Sequence, residues 1–116
     1  MATVIVIEKG RSLEDVVKAL VSYKPNVKIL RAHNYGEAME YIRQSPKTML
    51  IDEEVELSFE ICRQVRFSFE LYEAHVTYFV KNRKSIDPTS TYVDQWYVKG
   101  HYNPQKVVES IKDRLN

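Results

Sequence analysis

Five short runs dense in β-branched and aromatic residues punctuate the chain, and an amphipathic segment follows every one of them except the fourth. Thr3 to Ile7 (TVIVI) is continuously apolar, as a strand buried on both faces of a parallel sheet must be. Leu13, Val16, Val17, Leu20 and Val21 then recur at helical spacing, with Ser12 as cap and Asp15 three residues on. Lys24-Pro25-Asn26 breaks the chain before a second run, Val27 to Ala32. Asn34 caps the next helix, with Glu37 at the capping-box position and Tyr35, Ala38, Met39 and Ile42 on one face, until Ser45-Pro46 ends it.

The third run, Thr48 to Ile51, stops at an acidic triplet, Asp52-Glu53-Glu54, and Leu57, Ile61, Cys62 and Val65 outline the helix after it. His75 to Val80 is the fourth run. From Lys81 to Thr91 the chain is polar, with Ile86 its only aliphatic residue and Asp87-Pro88 a breaker, too polar for a helix that covers a sheet. Whether this stretch is ordered the sequence leaves open. Trp96-Tyr97-Val98 is the fifth run, and Asn103-Pro104 opens a last helix with Val107, Val108, Ile111 and Leu115 as its stripe.

Alternating strands and helices argue for an α/β domain with a parallel sheet covered on both faces. Two helix layers around five short strands give the flavodoxin-like doubly wound architecture, here with its fourth helix shortened or replaced by a loop. Residues 1–116 are the size of one domain. The functional crevice of such a sheet lies at the carboxyl ends of its strands.

Several classes drop out. Apolar residues are 44% and charged residues 28%, an ordinary globular mixture. A net charge of +1 gives no general pull toward nucleic acid or anionic membrane. No apolar run is long enough for a membrane span, and Met1-Ala2-Thr3-Val4 has no secretory pattern. Cys62 is the only cysteine, which excludes an internal disulfide or a cysteine zinc cluster and favours the cytoplasm. Its place on an apolar stripe makes it an inert core thiol. His33, His75 and His101 lack metal-ligand spacing, and Lys9-Gly10-Arg11-Ser12 matches neither a dinucleotide nor a P-loop pattern. No nucleophilic triad is visible, so the chain does not read as an enzyme.

At the strand ends stand Glu8-Lys9-Gly10, Asp52-Glu53-Glu54, Val80-Lys81-Asn82 and Lys99-Gly100. Thr48 to Asp52 followed by Glu60-Ile61-Cys62-Arg63, and Tyr97-Val98-Lys99 followed by Asn103-Pro104, resemble the receiver domain of bacterial response regulators along essentially the whole chain. The resemblance implies that Asp52 accepts phosphate from a histidine kinase and that Lys99 holds the phosphoryl group. It implies Mg²⁺ on Glu8 and Asp52, and Trp96 nearest the switch-aromatic position.

The departures are as informative. Lys9 stands where a second acid is expected, Val80 where a hydroxyl residue is expected, and Gly100 where proline is usual. Lys9 could fill the metal position and neutralise Glu8 and Asp52, or point outward and leave Glu53 or Glu54 to supply the missing carboxylate. The leading expectation is a pseudo-receiver: a signalling module acting through protein–protein contacts, with a degenerate phosphorylation site. Its partners would be a histidine kinase, an output domain or another signalling protein. A homodimer would form through strands four and five and the last helix, where Phe79, Trp96, Tyr97 and Tyr102 would be exposed. The alternatives are an authentic receiver phosphorylated on Asp52 with Mg²⁺, and a small α/β ligand-binding domain or enzyme using the same crevice. Lys81, Arg83 and Lys84 with Tyr92 make a basic and aromatic cluster that reads first as a solvated loop.

Overall fold

A computed structural model describes residues 2–116; Met1, and with it the start of the 1–116 span, lies outside the described residues. Its strands are β1 (Thr3–Ile7), β2 (Lys28–Ala32), β3 (Thr48–Asp52), β4 (His75–Val80) and β5 (Gln95–Val98). They pair in parallel in the order β2-β1-β3-β4-β5. The helices are α1 (Glu14–Tyr23), α2 (Tyr35–Ile42), α3 (Ser58–Phe67) and α4 (Pro104–Ile111). This is the flavodoxin-like doubly wound arrangement that the alternation of runs predicts.

Side-chain alternation along the strands divides the core in two. Ile5, Ile7, Met49, Ile51, Val76 and Val80 face α2 and α3, where Ile61, Cys62 and Val65 meet them. Val4, Val6, Leu50 and Phe79 face α1 and α4, against Leu13, Val16, Leu20, Val107 and Ile111. Burial raises the Cys62 thiol to about 12, which keeps it protonated and inert.

Three local expectations are corrected. Ser12 does not cap α1; the helix begins without a side-chain cap behind Leu13, and the Ser12 hydroxyl is engaged elsewhere. Leu57 is not on the stripe of α3 but just ahead of it, 57% exposed and in the left-handed region at φ 63°. Val21 lies on the solvent side of α1. The other caps form as expected: Asn34 accepts from the Glu37 amide at 2.9 Å, and Asn103 from the Gln105 amide at 2.9 Å, with Pro104 in the first turn.

Between β4 and β5 there is no α-helix, only a 3-10 turn at Arg83–Ser85 and a turn at Asp87–Ser90. The sheet flank is nevertheless covered. Val93 is buried, Ile86 and Tyr92 pack on the core, and edge-to-face rings run from Trp96 through Tyr78 and Phe59 to Tyr92 and Phe67. Phe79, expected at an exposed face, is fully buried beneath Tyr97 and Tyr102. The exposed large apolar side chains include Leu57, Phe59 and Phe67, at or on α3.

The connection into β4 is tied by a residue the sequence does not single out. Arg66 donates to the carbonyls of Leu71, Tyr72 and Ala74 and to Asp94, whose carboxylate also accepts the Val76 amide at 2.8 Å. Nearby, burial depresses the pKa of His75 below its ordinary value of 6.5. Such a histidine binds protons more readily when unfolded, so its contribution is present above pH 6.5 and is lost as pH falls through the lower folded value. Urea midpoints should drop on acidification from neutral pH, and His75→Asn should flatten that part of the profile. An unchanged slope in the variant would assign it to other groups.

Candidate functional site

The carboxyl ends of β1, β3 and β5 bring together part of what the sequence singles out. Asp52 is fully buried at the last position of β3. Lys99 Nζ donates to its Oδ1 at 3.0 Å and its Oδ2 at 2.9 Å, and also to Glu54. The Ser12 hydroxyl donates to Oδ2, and the Glu54 amide to Oδ1 at 2.9 Å. Four donated bonds on one buried carboxylate stabilise its charge. Burial works against the Lys99 charge, but its bonds to Glu54 and Asp52 prevail and raise its pKa; the same bond lowers that of Glu54.

Lys99 is presented by a turn that needs glycine. The His101 amide donates to the Val98 carbonyl at 3.0 Å, and Gly100 has φ 80°. That is the third position of a type II turn, which wants a positive φ. Proline, locked near −65°, cannot adopt it. Gly100 is therefore dictated by the shape of the turn.

Glu8 takes no part in the Asp52 cluster. It is fully buried at the end of β1, where Oε1 accepts the Leu13 amide at 3.0 Å and Oε2 accepts Arg31 Nε at 2.6 Å. Arg31 reaches it from β2 and pairs through its other end with Glu14 of α1 at 2.7 Å. Its pKa rises chiefly through the bond to Glu8, and that of Glu14 falls through the bond to Arg31. Lys9, for which the sequence leaves two directions open, is exposed and in no ion pair among the described residues. The cation beside Glu8 is Arg31.

Glu53 turns away as well, accepting the Lys81 amide at 2.8 Å. Val80 is fully buried and offers no hydroxyl at the end of β4. Trp96 is half-buried on the α3 side of the sheet, in edge contact with Tyr78. As placed, these groups do not fit a divalent metal: Glu8 is bound to a guanidinium, both Asp52 oxygens have donors, and no three metal-ligating side chains converge among the described residues.

Sequence reasoning misses Ser12, Arg31 and Glu14 as members of these clusters. Ser12 stands at a helix start and so reads as a cap. The one signal for Arg31 is a cation inside the otherwise apolar end of a strand run, Ile29-Leu30-Arg31-Ala32.

Comparison with solved structures identifies the fold. The signal receiver domain of a DNA-binding response regulator from Colwellia psychrerythraea superposes with a TM-score of 0.80 at 16% identity, over 97% of this chain and 99% of the other. The chain has the receiver fold. Response regulator TrrA from Thermotoga maritima, in complex with Mg²⁺-BeF, matches at 0.76 and 18% identity over 99% and 100% of the two chains. The phosphorylated cyanobacterial phytochrome response regulator RcpA matches at 0.72 and 17% identity over 97% and 89%. No protein-family model matches the sequence, and no curated protein matches it either. No helix among the described residues is long and apolar enough to cross a membrane.

Proposed function

We propose that the chain is a cytoplasmic signalling module with the receiver fold that binds other proteins without needing phosphorylation of Asp52. The observation that carries this reading is how fully the two buried acids are partnered. Glu8 is held by Arg31 and the Leu13 amide, and Asp52 by Lys99, Ser12 and the Glu54 amide, so each oxygen of both carboxylates already accepts a bond within the protein. A phosphoryl acceptor in this fold benefits from a metal that draws charge off the incoming group. Here each carboxylate already has a protein cation and a further donor, and Mg²⁺ would have to displace at least one of these bonds. Partners in this reading are a histidine kinase, an output domain or another signalling protein, with self-association through β4, β5 and α4 as one mode.

The test is incubation with Mg²⁺ and acetyl phosphate, followed by intact mass beside an Asp52→Asn control. The expected result is no phosphoryl adduct on either protein, with Trp96 fluorescence indifferent to Mg²⁺. One adduct on the wild type and none on the control would make the chain a working receiver and end the phosphate-independent reading.

A further inference from the structure

Beyond β4 and β5, on the outer side of the strand ends, lies a basic depression that the Asp52 cluster does not use. Its volume is about 480 Å³, and Lys81, Asn82, Arg83, Lys84, Val98 and His101 line it. Volumes of this order hold small molecules. Lys81, Arg83 and Lys84 are exposed, and none lies within ion-pair distance of a carboxylate among the described residues. No carboxylate lines the depression. The acid beside it, Glu53, directs its Oε1 to the backbone amide of Lys81 rather than to a lysine head.

The backbone holds these charges together. Asn82 accepts the Lys84 amide on its side chain at 2.9 Å and the Ser85 amide on its carbonyl at 3.1 Å, closing the 3-10 turn that carries Arg83 and Lys84. Three like charges gathered on a chain of net charge +1 repel one another and attract a compact anion. Arginine and lysine side by side suit phosphate oxygens, the first by its fork and the second as a point charge. No Phe, Tyr or Trp lines the depression, the His101 imidazole being its only ring, so three cations outweigh any platform for stacking a base.

We infer that this depression is a binding site for a small soluble compound carrying two or more linked phosphate groups, the pyrophosphate moiety being the part recognised. The site is independent of Asp52 chemistry. A phosphoinositide headgroup shares the same phosphate chemistry, and the experiment separates the two sources.

Calorimetric titration of the full chain with pyrophosphate at low salt should give one saturable site that weakens as salt is added. Arg83→Gln with Lys84→Gln removes two exposed charges without touching the core, and should weaken binding about tenfold or more. Unchanged urea midpoints would show that the variant keeps its fold. Absence of saturable binding at millimolar pyrophosphate, or equal affinity in the double variant, would overturn the assignment. Capture by phosphoinositide-containing vesicles without binding of free pyrophosphate would overturn it in favour of a lipid.

Discussion

Arg31→Met should destabilise the domain by about 3 kcal/mol, the lower end of the loss incurred when one partner of a buried ion pair is removed. Glu8 has no exposed surface, whereas the Arg31 side chain is 26% exposed, so water entering the gap would soften the loss. The decisive variant is the double one. Glu8→Gln keeps an oxygen for the Leu13 amide while removing the charge that Arg31 neutralises. Combined with Arg31→Met it should recover most of the stability, because a neutral pair costs less to bury than one unmatched charge. Urea unfolding of both variants measures this directly. A loss under about 1 kcal/mol for Arg31→Met would mean that Glu8 meets its charge elsewhere, and would reopen the site to a metal ion.

Phe79→Ala should cost about 4 kcal/mol, the range for deleting a fully buried aromatic ring whose surroundings collapse only in part. The ring sits on β4 between Tyr97 of β5, stacked at 5.7 Å, and Tyr102 of the turn before α4, edge-on at 5.2 Å. It thus supports the edge strand that carries Lys99 to Asp52. Trp96→Ala, which removes a half-buried ring on the opposite face, should cost clearly less. Comparable losses in the two variants would contradict the burial difference between the faces. Had Phe79 belonged to an exposed partner surface, its removal would have been nearly silent for folding.

Both substitutions also mark the limit of reading along the chain. HVTYFV has the composition of a strand and puts Phe79 on one, as the structure does. The polar stretch after it cannot form a covering helix, and for that reason the sequence points to an exposed flank. The flank is covered all the same, by Ile86, Tyr92 and Val93, three residues too scattered to show periodicity. Burial by an irregular loop has no sequence period to announce it.

The sequence by itself determined the strands, the helices and their order, because each depends on local periodicity and on caps within a few residues. It also determined that Asp52 and Lys99 stand at strand tips on the same end of the sheet. Only the tertiary structure decided how the charges pair. Glu8 and Lys9 are adjacent in the chain, yet one is sealed under α1 with Arg31 and the other faces water. Arg31 lies 23 residues from Glu8, and Ser12 lies 40 from Asp52. Those pairings come from β1 lying beside β2 on one side and β3 on the other, which places the three strand ends within a side chain's reach. Local pattern fixes which face a residue occupies; the partner it meets there depends on strands brought together from distant parts of the chain.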